Sequence, residues 1–155
     1  MPKTTLGSII GTAPVPGVPS TGSGVATYVD KIIRQNDDPW TALVVEDDAI
    51  IAFDFEDRLA SLGASDIRIA RDVEHALEIA RDMRPTVALV DWRLGESTSA
   101  ALAENLVRSG VKVAIVSGSS RWETRFPGDE DVIFLTKPLS DEALEKALTT
   151  LLARC

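Results

Sequence analysis

A single cysteine, Cys155, and a single histidine, His75, limit the chemistry open to this chain of 155 residues. One thiol cannot close an internal disulfide, and its use fits a reducing compartment. Basic residues are scarce beside acidic ones, 16 against 24, for a formal charge of −8. With no basic footprint to neutralise phosphates, nucleic acid is excluded as a direct partner, and the excess charge reads as a solvated acidic surface. No apolar run approaches the roughly 18 residues a membrane span needs, and no Arg-flanked apolar segment opens the chain. The expectation is therefore a cytoplasmic protein without a membrane partner. What is present is ordinary for a globular domain, with 45% apolar and 26% charged residues, enough to build one core.

Residues 1–24 hold four prolines and five glycines. Such a stretch buries too little apolar surface to offset its ordering entropy and reads as a disordered tail. Gly22-Ser23-Gly24 has neither a strand before it nor a Gly-Lys-Ser/Thr after it, so it reads as linker and not as a phosphate loop. Residues 25–39 read as a short amphipathic helix and linker, with Val25, Val29, Ile32 and Ile33 on one face.

From Trp40 to the end, residues 40–155, apolar runs alternate with amphipathic stretches. Strands are predicted at Thr41–Val45, Asp66–Ala70, Val87–Val90, Val111–Val116 and Val132–Leu135. Helices are predicted over Ala49–Leu62, stopped by Gly63; after the cap Asp72, with Val73, Ala76, Leu77 and Ala80 inward; from a cap at Ser97 or Thr98 to Gly110; and after Ser140. The unit between the fourth and fifth strands carries Pro127-Gly128 and little periodicity, so its helix is expected to be short, irregular or missing. Continuous apolar strands alternating with helices call for a parallel sheet covered on both faces, a doubly wound α/β domain.

In such sheets ligands bind beyond the carboxyl ends of the strands. Strand one ends in Glu46-Asp47-Asp48 and strand three in Asp91; Ser117 ends strand four, and strand five runs into Lys137-Pro138. Carboxylates gathered this closely repel unless a cation sits among them, and all-oxygen ligands on a water-accessible rim suit Mg²⁺. Acids, a metal, a lysine and a hydroxyl are the parts needed to receive a phosphoryl group.

The segments "LVVEDD", "ALVDWRLG", "AIVSGS" and "FLTKP", in that order, resemble the receiver domain of bacterial two-component response regulators over roughly residues 40 to 153. The resemblance implies a five-stranded parallel sheet of flavodoxin-like order 2-1-3-4-5. It implies Asp91 as phosphoacceptor and Mg²⁺ held by Asp47 and Asp91, by Glu46 through water, and by the backbone carbonyl of Arg93. Ser117 and Lys137 would bind phosphoryl oxygens, Phe134 would be the switch aromatic, and the Lys137–Pro138 bond would be cis. The implied partners are a sensor histidine kinase or histidine phosphotransfer protein and an unidentified protein target, with homodimerisation left open. The expectation is a single-domain regulator that is not a turnover enzyme.

The chain departs from that family in two places. The acceptor loop runs through Arg93-Leu94-Gly95 without the usual proline, and Lys137 follows Ser117 by only 20 positions, so the output face is expected to be remodelled. Trp122 and Phe126 in that interval read either as minor core or as exposed anchors for a partner. Trp92 is assigned packing, His75 a solvent position, and Arg93's side chain either solvation or an influence on dephosphorylation. Two other functions compete: a phosphorylation-independent adaptor, and a Mg²⁺-dependent aspartyl phosphohydrolase. The latter needs a second acid two residues after the nucleophile, where this chain has Arg93.

Overall fold

The computed structural model describes residues 39–119 and 126–153. The readings made for residues 1–38 and for Trp122 lie outside the described residues. Five strands, β1 (Thr41–Val45), β2 (Asp66–Ala70), β3 (Val87–Asp91), β4 (Lys112–Ser117) and β5 (Ile133–Thr136), form one sheet. Its order is β2-β1-β3-β4-β5, and every pairing is parallel. The helices are α1 (Ala49–Ser61), α2 (Val73–Met83), α3 (Ala100–Arg108) and α4 (Asp141–Leu152). The topology is the doubly wound, flavodoxin-like one expected from the sequence.

Period-two alternation divides the strands' apolar side chains between two cores. Leu43, Val45, Ala88, Val90, Val113 and Ile115 face α2 and α3. Ala42, Val44, Val87, Leu89, Ala114 and Val116 face α1 and α4, with Phe55, Leu59, Leu148 and Leu151 closing that layer. Both faces of β3 are covered, which is why "VALV" is apolar without interruption. Each fully buried Leu or Val contributes about 1.5–3 kcal/mol.

Local chemistry sets the helix starts. Asp48 accepts from the amides of Ile50 and Ile51 to cap α1, Asp72 from His75 to cap α2, and Ser140 from Ala143 to cap α4. His75 is exposed, as expected. The start of α3 differs from expectation. Ser97 and Thr98 do not cap it; they pair antiparallel with Arg93 and Leu94. Gly95, at φ 64°, makes the return possible. The helix begins only after Ser99, whose amide donates to the Trp92 carbonyl at 2.8 Å.

Between β4 and β5 the described residues contain no α-helix, only a 3-10 turn at Asp129–Asp131. Phe126 is not an exposed anchor. It is 8% exposed and packs in the core beneath α2 and α3. Gly128, at φ 89°, turns the chain after Pro127 and lies close against Val107, leaving little room for a side chain there.

Candidate functional site

Parallel register brings the strand ends level. Val45 is paired with Val90, so Glu46 and Asp91 leave neighbouring strands side by side. Asp91 is opposite Val116, and Ser117 is opposite Thr136, which delivers Lys137 to the same rim. Carboxylate oxygens of Glu46, Asp47 and Asp91 all lie within 4.8 Å of one another. Glu46 is 1% exposed and Asp91 9% exposed, while Asp47 faces solvent.

Lys137 binds this cluster together. Its Nζ lies 3.1 Å from Glu46 Oε2 and 3.4 Å from Asp91 Oδ1. The peptide bond joining Lys137 to Pro138 is cis, as the resemblance implied. The Lys137 amide donates to the Ser117 carbonyl at 2.7 Å, tying β5's end to β4's.

Backbone donors hold the acids. The Asp48 amide donates to Glu46 Oε1 at 3.1 Å, and the Gly95 amide donates to Asp47 Oδ2 at 3.1 Å. The Arg93 amide reaches Asp91 Oδ1 at 3.4 Å. Burial, and behind it the charge of Asp91, pushes the Glu46 carboxyl above its ordinary range, although the Asp48 amide and Lys137 pull the other way. The Gly95 amide holds the Asp47 carboxyl below its ordinary range. Burial opposes the charge on Lys137, but Glu46 and Asp91 together outweigh it and raise its pKa.

The remaining sequence-predicted residues take distinct places. Ser117 is buried at the rim, its Oγ accepting from the Ser119 amide at 3.2 Å. Phe134 is half-buried, level with Ile115 of β4 and packed on the α2–α3 core. Trp92 is half-buried on that same core, and its amide donates to the Val116 carbonyl, a packing role as assigned. Arg93's side chain is exposed, and its amide is the group turned to Asp91.

Two contributions were missed from sequence. Gly95 was read only as part of a turn, yet its amide fixes Asp47. Asp48 was grouped with the acid cluster, yet its carboxylate caps α1 and its amide holds Glu46. The signal for Asp48 was present, since an acid immediately before an apolar helical period is an N-cap.

Three carboxylates against one ammonium leave the cluster negative, and two of those acids, Glu46 and Asp91, are buried. That excess, in an all-oxygen set, fits a hard divalent cation.

No family model matches the chain, and no curated protein matches it. Solved structures do. The receiver domain of the response regulator PhyR from Erythrobacter litoralis is 22% identical, covers 74% of this chain and 91% of its own, and has a TM-score of 0.63. A CheY-like receiver domain protein from Methanospirillum hungatei is 21% identical over 76% of this chain and 96% of its own, with a TM-score of 0.66. The anti-anti-sigma factor PhyR from Bartonella quintana is 20% identical over 80% of this chain but 51% of its own, also with a TM-score of 0.66. The chain therefore has the fold of a response regulator receiver domain.

Proposed function

We propose that this chain is a cytoplasmic response regulator receiver that accepts a phosphoryl group on Asp91. The observation that carries the reading is Lys137 Nζ standing between Glu46 and Asp91, with Asp47 beside them. A lysine fixed against a buried carboxylate at a strand end is suited to neutralising a phosphoryl oxygen on that carboxylate.

The donor is a phosphohistidine on a sensor kinase or a histidine phosphotransfer protein. An Asp91 Oδ atom attacks phosphorus in line, the P–N bond breaks, and the histidine imidazole leaves with the bond's electrons and takes up a proton. Lys137 pairs with one phosphoryl oxygen and Ser117 Oγ donates to another. Asp47 and Asp91, with the Arg93 carbonyl and with Glu46 through water, would hold Mg²⁺, which supplies further charge neutralisation when bound. Water attack on the acyl phosphate resets the site, so no separate substrate is turned over.

The modified state favours Ser117 moved toward the phosphoryl group and Phe134 packed into the space it leaves. Output passes through protein contacts. The likeness to PhyR, named an anti-anti-sigma factor, supports a protein target. Ile50 and Phe53, 81% and 60% exposed on α1 next to the acidic rim, support docking of a donor protein there.

The test is incubation with Mg²⁺ and a small acyl phosphate, read by intact mass. The expected result is one added phosphoryl group in the wild type and none in Asp91→Asn. No adduct from this donor or from a kinase would favour the phosphorylation-independent adaptor. Steady phosphate release from an unrelated phosphoester would favour the hydrolase.

A further inference from the structure

Arg58 lies on α1 and has no role among those assigned above. Its side chain is only 16% exposed and has three polar arms. Nη2 donates to the Leu139 carbonyl at 2.8 Å, Nε pairs with Asp141 Oδ1 at 2.8 Å, and Nη1 pairs with Asp54 Oδ2 at 3.4 Å. The guanidinium carbon sits 5.9 Å from the Phe55 ring centre, which holds the fork against the helix.

These arms differ in weight. The Asp54 and Asp141 side chains are 61% and 89% exposed, so both pairs are screened and contribute little. The third arm is a charged donor on a partly buried backbone carbonyl 81 residues away. Leu139 belongs to the connection between β5, ending at Thr136, and α4, starting at Asp141. Lys137 stands in that same connection. Its backbone is tied to Ser117 on one side, and the next tie along the chain is the Arg58 bond to Leu139.

The contacts close a ring. Glu46 and Asp48 lead into α1, α1 carries Arg58, Arg58 holds Leu139, and Lys137 reaches back to Glu46 and Asp91. We propose that Arg58 is a positioning residue for the phosphoryl-accepting site, holding the 137–140 connection so that Lys137 Nζ stands against Asp91. The inference rests on the function proposed above, but its geometric core can be read separately.

The experiment uses the full chain and four variants: Arg58→Ala, Arg58→Lys, Lys137→Ala and the Arg58→Ala/Lys137→Ala pair. The first readout is the rate of phosphoryl uptake from a small acyl phosphate with Mg²⁺. The second is acylation of Lys137 by an amine-reactive reagent, followed by peptide mass, with exposed Lys146 as internal reference. Arg58→Ala is expected to slow uptake by about tenfold or more, the scale of a misplaced reacting group. Arg58→Lys, which keeps charge without the planar fork, is expected not to restore the rate. In the Lys137→Ala background, Arg58→Ala is expected to add no further loss. Lys137 labelling is expected to rise severalfold in both Arg58 variants while Lys146 labelling stays constant.

Additive losses in the double variant, or unchanged Lys137 labelling, would overturn the proposal. Should Arg58→Ala fail to fold, Arg58→Lys supplies the labelling comparison. A wild type that takes no phosphoryl group would count against the proposed function, while labelling would still decide whether Arg58 places Lys137.

Discussion

The Lys137 ammonium lies 3.1 Å from Glu46 Oε2, although 91 positions separate the residues. Glu46 is buried and Lys137 is partly exposed, so the pair is asymmetric. Removing the lysine strands a desolvated carboxylate; removing the glutamate leaves Lys137 a second partner in Asp91.

Lys137→Met is therefore expected to destabilise the protein at pH 7 by about 1–3 kcal/mol, the cost of an unpaired buried polar group. The Glu46 carboxyl is already raised in the folded wild type. A raised carboxyl contributes stability below its unfolded value of about 4.5, and that contribution is lost as pH rises through the folded value. The deficit of Lys137→Met should thus shrink as pH falls from 7 toward 4.5. Urea unfolding of wild type and variant across that range checks this; a deficit that grows on acidification would contradict it.

At the alkaline end, Lys137 has the opposite consequence. Its folded pKa is raised, so its stabilising contribution is complete below about 10.5 and is lost as pH rises through the folded value. Lys137→Met should show a weaker loss of stability than wild type as pH rises above about 10.5. Thermal melts at increasing alkaline pH provide the measurement.

Gly95 is expected to tolerate no side chain for a backbone reason alone. Its φ is 64°, and an added Cβ would meet nothing within 4 Å. Gly95→Ala should then cost about 1–2 kcal/mol from left-handed strain. It should also loosen the amide that holds Asp47, raising the Asp47 carboxyl toward its ordinary value and weakening the Mg²⁺ binding proposed for this site. Urea unfolding with a Mg²⁺ titration followed by tryptophan fluorescence would separate the two effects.

Phe126→Ala should cost about 3–5 kcal/mol, the range for a buried aromatic. A surface anchor would cost less than about 0.5 kcal/mol. Equilibrium unfolding distinguishes the two, and a small effect would favour the anchor over the core role that the burial of Phe126 supports.

Phe53→Ala is expected to leave stability within about 0.5 kcal/mol, because its ring is already in solvent. It should slow phosphoryl transfer from a phosphohistidine protein while leaving uptake from a small acyl phosphate unchanged. Equal slowing with both donors would remove Phe53 from the docking surface.

Much of the fold was legible because the signals are local. Asp72 and Ser140 cap the helices they precede, and the uninterrupted "VALV" requires two covered faces. The α3 start was misread because Ser97 and Thr98 are equally good in a short ladder, and only the Gly95 turn decides between the roles. Phe126 was left between core and surface. Pro127-Gly128 marks a turn but not the side on which the preceding ring falls, and only the packed core shows that it is buried.

The sequence by itself determined the alternation of strands and helices and placed Glu46, Asp47, Asp91, Ser117 and Lys137 at strand ends. Periodicity and capping act within a few residues, and they are enough for that. Tertiary structure decided that Lys137 meets Glu46 and Asp91, that Gly95 holds Asp47, and that Arg58 reaches Leu139. Those contacts depend on parallel register and on the packing of α1 against the sheet, which join residues that no local pattern connects.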